Sequence, residues 1–326
     1  MHDLFTPEDR TRVNAAMASG SGARYAELLQ SDPHPSGTLT WVTRIVGAVI
    51  ALVVGGILAA AIGIVGLVLL VVLVVVAVLV SGRVARWLHH RGLEAQAQRD
   101  VVGGFAQQRG WQTVDQIPLI NTTPLLRQGD RRSAGFGVTG QLDAATQFAA
   151  GQFEYEVDRE VSSTDSDGNT TYRTETETYP FTIALVSAPL PDLKKVELTK
   201  GSTGGILSKL SGAISDLHPV PLESAEFNDA YRLMVADGAD ELAIRARFTP
   251  AVLVALIERG PGETRFEAEN GVLLAARPGK KDPDDFGEYL DVLGDAIWLR
   301  AVLADDPPGR VPDTATLRAL LLGADA

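Results

Sequence analysis

From Ile45 to Val80 the chain carries no charged or strongly polar side chain; Val, Leu, Ile, Ala and Gly fill every position. A run of 36 such residues reads as a membrane segment. As one helix it would rise about 54 Å, at about 1.5 Å per residue, against a hydrocarbon core of about 30 Å, and tilt does not absorb that excess. Divided near residues 61–66, within the stretch GGILAAAIGIVG, it gives two spans. The run begins more than forty residues into the chain and no small-residue cleavage pattern follows it before Arg83, so it is expected to persist as an anchor.

The flanks support a hairpin. Trp41 and Arg44 stand at one end, and Arg83, Arg86, Trp87 and Arg91 at the other, whereas nothing polar marks the middle. Interfacial aromatics and cations belong at the membrane surface, and cations favour the cytoplasmic side. The sequence therefore predicts a multi-pass protein of the plasma (inner) membrane, with its N-terminus and soluble domain cytoplasmic and the lipid bilayer as a partner. Gly47, Ala51, Gly55 and Ala59 recur every four residues as a ridge of small side chains where another helix can approach closely. The ridge is expected to pack against the second helix of the same hairpin; homo-oligomer formation through it is the other reading. No ionisable residue lies in the apolar core, so an ion path or proton relay is not expected.

Outside the run the chain is acidic. Through Val84 five arginines balance five acids, so the formal net charge of −12 falls on the remainder. An acidic domain repels phosphate backbones, which argues against nucleic acid as a partner. The chain has no cysteine, and so no disulfide, thiolate chemistry or Cys-ligated metal.

The soluble parts predict an α+β cytoplasmic domain with an antiparallel sheet, anchored by the transmembrane helical hairpin. Residues 1–38 form an N-terminal helical segment and linker, 39–88 the hairpin, 89–110 a helical stalk, 111–304 the α+β domain and 305–326 a tail with a short helix. Thr6-Pro7-Glu8-Asp9 is a helix start, with a helix to about Ala18 that Ser19-Gly20-Ser21-Gly22 breaks before another turn or two through Leu29. The stalk helix runs until Gly103-Gly104 loosens it or Gly110 ends it. Alternation over 152–161 and 170–187 predicts a long hairpin. Its tip, SSTDSDGNT, matches part of a calcium loop at Asp165, Asp167 and Gly168, but Ser163 and Thr174 fill the first and twelfth ligand positions, so it reads as a polar tip. Leu198–Gly205 reads as a turn-rich link, followed by a helix with Ile206, Leu207, Leu210, Ala213, Ile214 and Leu217 on one face. Val220 onwards reads as a strand or bent strand. Helices follow over 241–248 and from Thr249-Pro250 to Gly260, then a hairpin about Asn270-Gly271, a helix opening at Asp282 and a last short one capped by Asp313.

The stretch Glu223-Ser224-Ala225-Glu226-Phe227-Asn228, followed by Tyr231-Arg232 and Thr249-Pro250, resembles a family of uncharacterised actinobacterial membrane proteins. The order of parts resembles it too: an apolar hairpin, a basic exit, Trp111 after a helix, a long hairpin with a Ser/Thr/Asp/Gly tip, then the ES-x-EFN element. The resemblance covers about residues 40–302 and brings no activity, substrate or cofactor with it.

Catalytic motifs are absent. There is no HExxH, G-x-S-x-G, Walker loop or CxxC, and Gly201-Ser-Thr-Gly-Gly205 lacks the Lys-Ser/Thr ending of a phosphate cradle. His89 and His90 are adjacent on a helix and diverge by about 100 degrees, a poor geometry for shared metal ligation. Glu223 and Glu226 are the one carboxylate pair worth considering: on opposite faces if the segment is a strand, convergent if it turns. The structural reading has Glu226 or Asn228 bonding local backbone and Phe227 in the core. The sequence thus points to a non-enzymatic, membrane-tethered interaction or scaffold domain without cofactor or metal; the alternative is a membrane-bound hydrolase using Glu223 and Glu226.

Overall fold

The computed structural model describes residues 6–32, 34–62, 64–117, 122–164, 170–188, 190, 193–201, 217–260, 262–279, 285–304, 309 and 312–322. The calcium-like ligands at 165–168, the expected helix from 206 to 216, the glycine at 63 and the expected Asp282 helix start lie outside them; Leu217, expected to end that helix, instead begins a strand paired with Ala236. Two compact units emerge, Ala16–Val102 and a second comprising the residues up to Ala15 together with Gly103–Ala326.

The first unit is helical. Helix α2 spans Gly37–Ile62 and α3 spans Ile64–Gln107, so one residue separates the two apolar helices. Gly47 lies against Ala77: a Cβ built on it would stand 3.6 Å from the Ala77 Cβ and carbonyl oxygen. These positions are nearly equidistant from the junction, so α2 and α3 fold back on each other. Among the described residues one helical stretch, Gly37–Val54, is long and apolar enough to cross a membrane, and only 6% of it is buried.

The N-terminal helix departs from expectation. Thr6 and Asp9 cap it reciprocally: the Asp9 amide donates to Thr6 Oγ1 (3.1 Å) and the Thr6 amide to Asp9 Oδ2 (3.0 Å). From there α1 runs unbroken over Pro7–Ser31. The Ser-Gly-Ser-Gly stretch does not break it, because tertiary contact overrides weak propensity. A Cβ at Gly20 would meet Val101 of α3 at 3.2 Å, so the glycine sets a close helix approach. Arg24 donates to Asp100 (2.8 Å), Tyr25 Oη lies 2.7 Å from His90 Nδ1, and His89 Nε2 lies 2.9 Å from the Asp32 carbonyl. The stalk half of α3 likewise continues through Gly103-Gly104 and stops at a turn where Gly110 takes φ +70.

The second unit is α+β, built on one nine-stranded antiparallel sheet of order β1-β2-β3-β4-β9-β8-β5-β7-β6. The strands are β1 Gln112–Val114, β2 Arg131–Gln141, β3 Gln147–Thr164, β4 Thr170–Ser187, β5 Val196–Lys200, β6 Leu217–Pro219, β7 Tyr231–Ala236, β8 Arg265–Glu269 and β9 Val272–Pro278. Both expected hairpins are there. The β8–β9 turn places Asn270 and Gly271 at φ 54 and 75, the signature of a type I′ turn.

Three segments correct the sequence reading. The supposed link at Leu198 is central strand β5, paired on both sides. The supposed bent strand after Val220 is interrupted by a short helix, α4 (Ala225–Ala230), before β7. Strands β1 and β2 fall where no element was expected. Helices α5 (Glu241–Arg247), α6 (Pro250–Arg259), α7 (Phe286–Ala304) and α8 (Thr314–Leu322) complete the unit, with Asp240, Thr249 and Asp313 as side-chain N-caps and Asp285 bonding the first turn of α7. Helix α7 packs on β4 and β9. On the other face, Ile117, Leu125 and Leu126 close over Phe153, Tyr155, Phe181 and Ile183.

Candidate functional site

The ES-x-EFN element is a brace. Ser224 caps α4, its Oγ accepting from the Phe227 amide at 3.2 Å. Asn228 folds back on Leu222, accepting from its amide (3.0 Å) and donating to its carbonyl (2.7 Å), so one side chain replaces the sheet partner that Leu222 lacks. Phe227 is fully buried, its ring 5.2 Å from and nearly parallel to that of Tyr231 and 6.4 Å from that of Phe248. Tyr231 Oη in turn donates to the Leu256 carbonyl (2.8 Å). Glu223 and Glu226 are exposed, and neither lines the cleft described below.

The expected interface residues fall in the helical unit. Trp41 and Trp87 are 65% and 53% exposed, and the Arg91 guanidinium lies 4.4 Å from the centre of the Trp87 ring. Arg44, Arg83 and Arg86 are exposed, Arg86 donating to the Gly82 carbonyl at 3.3 Å. Of the small-residue ridge, Gly47 meets Ala77 and Ala51 is buried; the surroundings of Gly55 and Ala59 lie outside the described side chains.

Sequence reasoning missed a polar cleft of about 350 Å³ in the α+β unit, bounded by α6, α7, β8, β9 and the start of α1. Asp291 and Asp295, one turn apart on α7, organise it. Arg277 of β9 donates to Asp291 Oδ2 (2.7 Å) and Asp295 Oδ2 (3.0 Å); Arg10 of α1 donates to Asp291 Oδ2 (2.8 Å), Arg259 pairs with Asp295, and Thr264 Oγ1 donates to Asp295 Oδ2 (2.6 Å). Burial, reinforced by the Asp295 charge, pushes the Asp291 carboxyl above its ordinary range against the pull of Arg277. Arg277 is held above its usual value because the two aspartates outweigh the cost of burying it. Arg259 also covers the Trp298 ring at 4.3 Å. Both aspartates are therefore committed to internal ion pairs. Two acids at i, i+4 in the otherwise apolar run LDVLGDAIWL were the signal: on a buried face they demand partners.

The start of α1 is anchored at this place. Besides Arg10, Asn14 Nδ2 donates to Asp285 Oδ1 (2.8 Å) and Asn14 Oδ1 accepts from the Gly287 amide (2.8 Å), while Asp9 pairs with Arg318 of α8. A Cβ at Gly287 would come within 2.8 Å of Arg10 Cγ, so only glycine admits α1 here.

A second charged group lies within the sheet. Glu197 of β5 and Glu267 of β8 are directly paired, and Arg265 bridges them, 2.9 Å from Glu197 Oε2 and in contact with Glu267; all three are about 1% exposed. Glu267 also accepts from the Leu125 amide at 2.9 Å. No group of three or more potential metal ligands occurs among the described residues.

Comparison with protein families, with curated proteins and with solved structures finds nothing that matches the chain.

Proposed function

We propose that this chain is a multi-pass protein of the plasma membrane, anchored by the α2–α3 pair with its N-terminus and α+β unit in the cytoplasm, and that it acts without catalysis as a tethered interaction or scaffold module. One observation carries the topology. Asp9, Arg10 and Asn14, which precede the apolar pair, bond Arg318, Asp291, Asp285 and Gly287, which follow it. Groups on opposite sides of a bilayer cannot share hydrogen bonds, which supports an even number of crossings by a pair that enters the membrane. Basic flanks then favour the cytoplasmic face.

Interaction rather than chemistry is supported by what each surface offers. The cleft aspartates are neutralised by arginines, and the exposed Glu223 and Glu226 converge on no described cavity. By contrast, β3 and β4 run on as a ribbon beyond the last pairings with β2 and β9, at Glu156 and Phe181. The Asp158 amide is still held by Asp130 Oδ2 (2.9 Å), but from Arg159↔Glu175 to Ser163↔Thr171 no third strand pairs with the ribbon among the described residues, leaving two backbone edges of the kind a partner strand can extend.

Cysteines placed at Gly37 and Gly92 should both resist a membrane-impermeant thiol reagent in intact cells; labelling of either refutes the topology. Crosslinking from native membranes should give partners that disappear when residues 158–176 are replaced by an Asn-Gly turn. Stable Glu223→Gln and Glu226→Gln variants that behave as nulls in complementation would instead establish the hydrolase.

A further inference from the structure

The α2–α3 pair leaves an apolar groove of about 550 Å³ along its length. Its floor is made of small buried residues, Ala51 and Ser81, and its rims of exposed Val46, Ile50, Val80 and Val84. From Val42 to Val54 it runs about 18 Å at 1.5 Å per residue, a little more than one leaflet, half of a hydrocarbon core of about 30 Å.

Charge identifies the occupant. From Pro33 to Leu93 the sequence has no aspartate or glutamate but four arginines. Arg91 is engaged with Trp87 and Arg86 with its own helix backbone. Arg44 and Arg83 have no ion-pair partner among the described residues. The apposition of Gly47 and Ala77 sets the helix register, which brings Arg44 level with Val80, so the Arg44 and Arg83 backbones lie within roughly 5 Å of each other along the axis. Neither side chain lines the groove, but each follows or precedes a residue that does, Thr43 and Val84, and is long and exposed enough to reach a headgroup at that end. The N-terminus of α2 is at this same end, its first turn capped by Ser36 Oγ, and adds the positive end of a helix dipole. A second copy docking along the groove would bring the same uncompensated arginines to the same level, and like charges repel.

We propose that the groove seats one acyl chain of an anionic phospholipid whose headgroup phosphate is neutralised by Arg44 and Arg83. This rests on the membrane reading above and goes beyond it, since a membrane anchor by itself requires no lipid of a particular charge. Guanidinium groups pair with phosphate oxygens through two parallel N–H donors, and basic residues next to a membrane segment favour anionic lipid.

The test uses the full chain reconstituted into vesicles of pure phosphatidylcholine and into vesicles with three parts in ten phosphatidylglycerol. Insertion is scored by flotation and resistance to alkaline extraction, and retained lipid by native mass spectrometry after release in mild detergent. The expected result is insertion into both, with phosphatidylglycerol retained about tenfold over phosphatidylcholine. Arg44→Gln/Arg83→Gln should insert equally and lose the preference, and Val80→Trp, which fills the groove from its rim, should lower retention of both lipids. Insertion into both vesicles with equal retention, or a dimer mass without lipid, overturns the lipid site and leaves the anchor standing. Failure to insert into either vesicle overturns the anchor as well.

Discussion

Replacing Glu197 by glutamine should make the α+β unit more stable at pH 8 and remove a pH dependence that the parent shows. Two glutamates share one arginine in a dry place, so the group carries an uncompensated negative charge unless one of them keeps a proton. Burial pushes the Glu197 carboxyl from 4.5 up to about 7, with Arg265 pulling it down and Glu267 pushing it up further. Between those values the folded chain holds a proton that the unfolded chain has lost. Stability therefore falls as pH rises, by up to about 1.4 kcal/mol per pH unit and on the order of 3 kcal/mol in all, complete once pH has passed through 7. Glutamine is neutral throughout; its carbonyl can accept from Arg265 and its amide can donate to Glu267. Denaturant unfolding of the full chain in detergent, read by the fluorescence of buried Trp111 and Trp298 at pH 5, 6, 7 and 8, should show the parent losing stability more steeply than the variant, which keeps only the slope of the other carboxyls that burial raises, Asp291 and Glu288. The carboxyls held low, Asp143 by bonds from Thr146 and Asp313 by bonds from Thr316, titrate below this window. A variant less stable than the parent at pH 8 would refute the reasoning, because it would mean that Arg265 needs both charges.

Phe227→Ala should cost about 3 to 5 kcal/mol, since the ring is fully buried against Tyr231 and Phe248, and the denaturation midpoint measures it. Asn228→Ala should cost about 1 to 3 kcal/mol by leaving the Leu222 amide and carbonyl unpaired, whereas Glu223→Gln should leave the midpoint unchanged. Arg277→Met should cost about 2 to 3 kcal/mol, because Asp291 and Asp295 would each lose one charged partner while keeping Arg10 and Arg259; the denaturation midpoint measures it. Gly287→Ala should release the start of α1, read as new protease cleavage before Ala15 with the sheet unit intact; unchanged cleavage would contradict the close approach to Arg10.

What could be read from the sequence followed from periodicity and punctuation. The β3–β4 and β8–β9 hairpins alternate cleanly, and Thr249-Pro250, Asn270-Gly271 and Asp313 are local signals that no tertiary contact overrode. Strand β5 was hidden because Glu197, an acid, occupies a core position that only the distant Arg265 makes tolerable. Strand β2 was hidden by its glycines, which look like turns. At Gly137 a Cβ would fall 2.4 Å from the Ala150 carbonyl oxygen, so the glycine is there to let β3 come close beside a bulge. The ES-x-EFN element stood out in the sequence, but its role lies in Ser224, Phe227 and Asn228 rather than in its acids. The cleft was invisible as a unit, because its ion pairs join residues as far apart as Arg10 and Asp291.

That last pairing bears on the order in which the molecule can be assembled. Arg10 and its acceptor are 281 residues apart. At a synthesis rate of about 5 to 20 residues per second, α1 therefore waits roughly 14 to 56 seconds for its partner to be made. The apolar pair is complete long before that, so on the proposed topology it enters the bilayer while α1 is still undocked. Under that proposal an N-terminal segment carried across with the pair would forfeit its site on α7, and the docking of α1 would act as a final check that both ends of the anchor lie on the same side.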